Sequence, residues 1–598
     1  MRKIAVLVIT LSAFLLGGAI THVHAQEFDV KIDREYTVNP DASMHVKETH
    51  TITNNSSNLL ISKSNQESFQ IAVIGDDKKK LTDSVATAVV KADGNTQTYT
   101  SDVQDKFSEL KVNYPKELRR NQTLTFILEY TNFGLLQNVG ALYDIYAPGF
   151  VKDFQFVKGN TKVSYTTVFR ISDQLSAENF VIPTPASKET SNGFSIYSFS
   201  QESLLGKTIW IQRGRTQFYQ FKIVQHAQAT DDHDTGYLNE YRVILPKDVD
   251  EGEVTQTVYF TKISPEPFQV VNDSEGNLIG YFKVPTHTDV DITVEGFASV
   301  SKKDLQVGES NSGNLNGYDA QLVAGYTKAA QFWEVDAPQI QTLAKQLEEG
   351  NQNVFDIVAK TYQHVVDTIN YSEVKRFGLN ERQGALKTLE NGSGVCMEYS
   401  DLFLTLSRAQ GIPARAAFGY GYDSRLPVNG AEAHQWVQVF MPGLGKWVSV
   451  DVTWGESGPA LIGGDLNHFY THTASTDPNT PPMVERISYG SNVDLPAPQF
   501  QFTAEGKLAD ITQAMTGDQL LKKYPKSTTI TIQDQLNSFG NDLRYLIDQA
   551  SSKDKGQVVT TCGVALSIIA IVFLGIYSLL SARKNKKHNT ASGPAAPL

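Results

Sequence analysis

The 598-residue chain is poor in cysteine, tryptophan and methionine, with two, five and six of each. Cys562 lies in an apolar run near the C-terminus, which leaves Cys396 alone in the long body of the chain. One cysteine excludes a disulfide framework within that body. The chain is also too poor in cysteine for a thiolate zinc centre and has no His-Glu-x-x-His pair. Asp231, Asp232 and Asp234 flank His233. They lack the spacing of a calcium loop and read as a solvated turn. Basic charge is short as well: 53 Lys and Arg stand against 65 Asp and Glu, a net charge of -12. That balance gives no electrostatic footprint for nucleic acid. Gly419-Tyr420-Gly421-Tyr422 is glycine-rich but lacks a following Lys-Ser/Thr, so it is no phosphate loop and reads as a flexible rim. No cofactor and no metal are expected.

Long hydrophobic runs are confined to the two ends. Arg2 and Lys3 precede an apolar stretch over 4–18, and Val23-His24-Ala25 follows. That order is a signal peptide, 1–25. The second run, 558–580, is long enough as a helix to cross a hydrocarbon core of about 30 Å. Arg583, Lys584, Lys586 and Lys587 follow it and favour the cytoplasmic side for the tail 581–598. The expectation is a single-pass protein of the cell membrane, anchored by one C-terminal transmembrane helix, with an extracellular body.

Between the two runs the pattern changes several times. Residues 26–205 alternate as strands do: Met44, Val46, Glu48, His50 and Ile52 fall on one face. No helical period extends to ten residues there. A second β-rich stretch covers 206–300, and a polar linker covers 301–319. Helical periodicity begins in 320–500, where Asn353 can cap a helix carrying Ile357, Tyr362 and Val365. Prolines at 478, 481, 482, 496 and 498 mark the far edge of that α+β region. A helical or mixed stalk is expected over 501–555.

The residues that speak of chemistry lie in 320–500. Gly392 and Gly394 lead into Cys396, which opens an apolar-periodic segment. A helix N-terminus favours a thiolate and presents free N–H groups to an oxyanion. A lone thiol in an oxidising compartment is a hazard unless it is buried or used. His434 stands at the entry of an alternating run, and Asp451 ends the next strand-like run, 446–450. Two adjacent strands can present such a pair within hydrogen-bond reach, which completes a Cys-His-Asp arrangement for nucleophilic catalysis. His364, His468 and His472 read as structural, although Asn467-His468-Phe469 follows Asp451 closely enough to line the same cleft.

Gly394-Val395-Cys396-Met397-Glu398-Tyr399-Ser400, Gly411-Ile412-Pro413-Ala414-Arg415, His434-Gln435-Trp436 and Trp447-Val448-Ser449-Val450-Asp451 resemble, in order and separation, the core of the transglutaminase-like superfamily. The resemblance covers roughly 150 residues. It implies an α+β, papain-like core behind N-terminal β-sandwich-like domains. Cys396 is then the nucleophile, His434 the general base and acid, and Asp451 the orienting carboxylate. Trp436, Tyr420, Tyr422 and Trp454 become packing or substrate-rim aromatics. The implied function is a cell-surface cysteine acyl-transfer enzyme that forms a thioester from a carboxamide or peptide carbonyl and resolves it with amine or water. Its substrate would be a surface protein or cell-envelope peptide. The alternatives are a cysteine peptidase or amidase of the envelope, or a non-catalytic binding or scaffolding protein.

Overall fold

The computed structural model describes residues 27–526, apart from 58–60, 75–76, 149–160, 205–207, 228–237, 286–288, 379–380, 423–430, 458–460, 477–483, 489–490 and 495–498. Among the described residues no helix is long and apolar enough to cross a membrane. The span expected at 558–580 lies outside them, as do the signal peptide at 1–25 and most of the stalk. A long apolar run supplies the hydropathy of a span but no described helix bears it out. The transmembrane helix, the single-pass placement and the membrane-anchored partner reading are therefore withdrawn.

The described residues group into two compact units. The first comprises residues up to Leu136 with Ala147–Leu175 and Pro185–Thr208. Its main sheet has eight strands. In it Phe28–Val38 runs antiparallel to Met44–Asn54 and parallel to Thr161–Ser172. Phe28–Val38 and Met44–Asn54 alternate buried and partly exposed positions, so the period of two seen in the sequence is a real core face. A three-stranded sheet holds Gln66–Ala72, Phe107–Asn113 and Tyr99–Val103. The helix Lys78–Ala86 spans nine residues and is capped by Asp77, which accepts from Lys80 N at 3.0 Å.

The buried face of this unit carries charge as well as apolar surface. Arg34 Nε donates to Glu48 Oε2 at 2.8 Å. His50 lies between Glu48 at 2.6 Å and Glu67 at 2.5 Å, and Tyr114 donates to Glu67 at 3.1 Å. All five side chains are buried. Each His50 nitrogen meets a carboxylate, which only accepts, so the ring is an imidazolium joining the two sheets. Burial opposes that charge, yet the two glutamates push His50 up to about 9.

The second unit comprises Gln137–Tyr146, Ser176–Thr184 and the described residues from Ile209 onward. Part of it is a β-sandwich. One five-stranded sheet runs in the order Val249–Glu251, Val254–Ser264, Val290–Lys302, Thr216–Ala227, Gln499–Glu505. The other runs Gln269–Asn272, Leu278–Pro285, Leu238–Leu245, Val484–Ser488, Ser491–Asp494. The chain therefore returns to the sandwich after the α+β region. The alternation of Gln499–Glu505 needs a partner strand, and Thr216–Ala227 supplies it. Helix Gly517–Lys523 places Leu520 in the same apolar cluster.

The α+β region is built around one helix. Cys396–Ala409 buries every residue from Glu398 to Arg408. Leu402, Phe403, Leu404 and Leu406 surround its axis with apolar surface, the pattern of a central helix and not of a surface one. Burying one such side chain stabilises by about 1.5–3 kcal/mol. Helices Pro338–Glu348, Val354–Thr368 and Ala385–Asn391 pack against it, as does an antiparallel sheet of order Leu461–Ile462, Lys446–Asp451, Ala431–Met441, Ala414–Tyr422, His468–Ala474. Asn353 caps Val354–Thr368 by accepting from Asp356 N. The central helix stops before Gly411, whose φ of +78° needs a glycine, and Pro413 starts the turn into the sheet.

Candidate functional site

Cys396 is the first residue of the central helix and is partly exposed. Its approach is set by Glu398, whose buried carboxylate accepts from Val395 N at 3.0 Å and pairs with Lys375 at 2.5 Å. Gly394 is a glycine because a Cβ there would stand 2.3 Å from Glu398 Cβ. The first N–H groups of the helix have no intrahelical acceptor.

His434 and Asp451 come from neighbouring strands of the sheet. His434 Nε2 donates to Asp451 Oδ2 at 3.1 Å, and the second carboxylate oxygen accepts from Thr453 N at 2.8 Å. Cys396 lines the same groove as His434 and helps to raise the proton affinity of the imidazole. With Nε2 taken by the carboxylate, Nδ1 is the nitrogen left for the thiol. Burial opposes charge on His434, but Asp451 and Cys396 together push it up to about 10. Burial also works against the Asp451 carboxylate, which His434 and His468 nevertheless hold well below the usual range.

Cys396 and His434 line one groove, and Asp451 is held to the imidazole of His434. That groove has a volume of about 450 Å³ and is lined by Cys396, His434, Met397, Tyr371, Phe418 and His472 among others. Arg376 pairs with Glu432 along it. His472 stacks on Phe418 at 4.7 Å, and burial pushes it down to about 3, so it is neutral.

The rim aromatics divide. Tyr420 lines the groove and stacks on Phe500. Tyr422 packs with the apolar cluster of the sandwich. Trp454 stacks on His434, with ring centroids 5.1 Å apart. Trp436 is only 2% exposed and donates to Ser449 Oγ, so it is a packing residue. Gly419 and Gly421 belong to a strand, not to a flexible rim. Gly419 lies opposite His434, and a Cβ on it would meet Phe469 O at 1.9 Å. A Cβ on Gly421 would meet the Trp454 ring at 2.5 Å. These two glycines admit close neighbours.

Two features carried little sequence signal. His468, read as structural, reaches Asp451 Oδ2 at 3.1 Å through Nε2 and Asp465 Oδ1 at 2.9 Å through Nδ1. Asp401 lies wholly buried one turn along the cysteine helix and accepts from Arg382 Nε at 2.7 Å, Trp333 Nε1 at 2.8 Å and Gln435 Nε2 at 3.2 Å. The only clue was position: a charged residue inside an apolar helical period. His434, Asp451 and His468 also have ligand atoms within 4.8 Å of one another, close enough to hold a metal ion. Both histidines direct their Nε2 at one oxygen of Asp451, which is a complete hydrogen-bonded arrangement without a metal.

Residues 341–452 match the family model of the transglutaminase-like superfamily, which makes this segment a distant homologue of it. No curated protein matches the chain. Among solved structures, a putative cysteine protease from Cytophaga hutchinsonii is 14% identical, with 49% of this chain and 91% of that one covered and a TM-score of 0.34. A putative protease from Parabacteroides distasonis is 10% identical over 74% of this chain and 72% of that one, with a TM-score of 0.18. The periplasmic domain of TgpA from Pseudomonas aeruginosa is 16% identical over 40% of this chain and 89% of that one, with a TM-score of 0.23.

Proposed function

We propose that the chain is a cysteine hydrolase of peptide or carboxamide bonds, with Cys396 as nucleophile, His434 as general base and acid, and Asp451 as the orienting carboxylate. The observation that carries this reading is His434, hydrogen-bonded to Asp451 and sharing a groove wall with the Cys396 thiol. In the first half of the reaction the Cys396 sulfur attacks the carbonyl carbon and the C=O electron pair moves to oxygen. The oxyanion meets the N–H groups at the start of the cysteine helix. As the C–N bond breaks, His434 gives its proton to the departing amine and a thioester remains. In the second half His434 takes a proton from water, the hydroxide adds to the thioester, and the C–S bond breaks to release the acid and restore the thiol.

Hydrolysis is preferred to transfer onto a second amine. Water reaches the partly exposed Cys396. Glu432, a carboxylate beside the groove that could draw in a cationic amine, is already paired with Arg376. The reading is tested by incubating the protein and its Cys396→Ala variant with a peptide mixture and an isotope-labelled primary amine, followed by mass spectrometry. New termini made by the wild type alone support hydrolysis. Amine incorporation without new termini points to transfer, and no Cys396-dependent product removes the enzymatic reading.

A further inference from the structure

His434 shares its carboxylate. Oδ2 of Asp451 accepts from His434 Nε2 and from His468 Nε2, each at 3.1 Å. The far side of the His468 ring is held in turn, with Nδ1 at 2.9 Å from Asp465 Oδ1. Asp465 also accepts from Asn467 N at 2.6 Å. Asn467 Oδ1 accepts from Gln212 Nε2 at 3.0 Å, and that amide also donates to Asp144. Both nitrogens of His468 therefore face carboxylate oxygens. A carboxylate has no hydrogen to give, so both nitrogens donate and the ring is an imidazolium.

We propose that His468 is a positioning residue for the cysteine site: a fixed imidazolium that pins the Asp451 carboxylate and tempers the pull of that carboxylate on the His434 proton. The inference rests on the cysteine-hydrolase reading and deepens it. In a bare Cys-His-Asp set the carboxylate's negative charge faces one imidazole and holds its proton firmly. Here a second cation takes half of the same oxygen. His434 releases its proton to a leaving amine more readily, and the added positive charge favours the thiolate of Cys396. The charged groups that face His468 are Asp451, Asp465 and His434, whose ring centroid lies 5.2 Å away. Trp436 and Trp454 close its faces with centroids at 4.8 Å. Glu251, held by Ser449 at 2.7 Å and by Gln438, lines a cavity of about 30 Å³ that His468 also lines.

Loss of the His468 charge moves two transitions in the same direction. The thiolate forms at higher pH, and the His434 proton leaves at higher pH. The thiolate–imidazolium window shifts upward as a whole, by about one pH unit. A side chain that served only as packing would lower activity without moving either edge.

The test uses the full chain and iodoacetamide. Carbamidomethylation of the peptide containing Cys396 is followed by mass spectrometry as a function of pH, which separates it from Cys562. The variants are His468→Gln, His468→Arg and Asp465→Asn. His468→Gln is expected to shift the midpoint upward, His468→Arg to return it toward wild type, and Asp465→Asn to shift it upward with the ring still in place. Unmoved midpoints in His468→Gln, or an Arg variant that behaves like the Gln variant, overturn the proposal. Should His468→Gln fail to fold, Asp465→Asn decides the matter alone, and an unmoved midpoint there is equally fatal. Wild-type Cys396 that alkylates no faster than a free thiol near neutral pH counts against the hydrolase reading itself, a different result from an unmoved midpoint.

Discussion

Ser400 Oγ donates to the main-chain carbonyl of Gln435 at 2.9 Å, one turn after Cys396 and one residue after His434. This bond ties the helix that presents the sulfur to the strand that presents the imidazole, and Asp401 reinforces it through the Gln435 side chain at 3.2 Å. The separation of nucleophile and base is thus set by buried bonds behind them.

Ser400→Ala leaves that carbonyl buried and unpaired. The expected cost is about 1–3 kcal/mol of unfolding free energy. If the bond sets the Cys–His spacing, turnover falls severalfold in protein that is still folded. Denaturant melts run beside rate measurements check both parts, and a stability loss with unchanged turnover would show that the bond serves the fold alone.

Asp401→Ala removes the acceptor for Arg382, Trp333 and Gln435 together and strands a buried guanidinium. Breaking a buried pair of this kind costs ~3–5 kcal/mol. The variant is expected to unfold at clearly lower denaturant than Ser400→Ala. A midpoint within error of wild type would mean that water replaces the carboxylate.

Cys396→Ala is expected to abolish turnover with little change in the melt, because the residue is partly exposed at a helix start. Asp451→Asn should retain some turnover, since the nucleophile and base remain while the orienting charge is lost. Equal rates for wild type and Cys396→Ala would remove Cys396 from the chemistry.

The pH dependence of turnover has a defined alkaline side. His434 is pushed up to about 10, so the imidazolium that protonates the leaving amine persists until pH rises through that value. The same raised value stabilises the folded chain fully below 6.5, and the contribution is lost as pH rises toward about 10. A rate profile that falls already between pH 7 and 8 would contradict the pairing with Asp451.

The first unit has its own pH signature. His50 is raised to about 9, so its contribution is complete below 6.5 and lost as pH rises through about 9. Glu48 is lowered to about 2: burial works against its charge, and Arg34 and His50 outweigh it. Its contribution is complete above 4.5 and lost as pH falls through about 2. Melting of this unit should therefore be most resistant between about pH 4.5 and 6.5. His50→Leu should cost ~3–5 kcal/mol by leaving the buried Glu67 carboxylate without a cationic partner, and should flatten the alkaline decline. Thermal melts across pH with both proteins measure this.

Local pattern alone determined much of this protein. Alternation in Phe28–Val38 and Met44–Asn54, the Asn353 cap and the glycines before Cys396 each depend on neighbours a few residues away. Short-range rules of strand, cap and helix start therefore reach them. Cys396 and Asp451 were legible for a related reason, because each sits at the start or end of an element that the pattern delimits, whereas His434, expected at the entry of a run, lies inside the strand Ala431–Met441. Tertiary structure decided what depends on partners far along the chain. The return of Gln499–Glu505 to Thr216–Ala227 needs a sheet edge that no local window contains. Gly419 and Gly421 read as a flexible rim until Phe469 and Trp454 were seen pressing on them. His468 read as a structural histidine because its meaning lies in two carboxylates, and its place on Asp451 arises only when the strand His468–Ala474 pairs beside Ala414–Tyr422. A charged side chain takes its role from what surrounds it after folding, and distance along the chain carries no record of that.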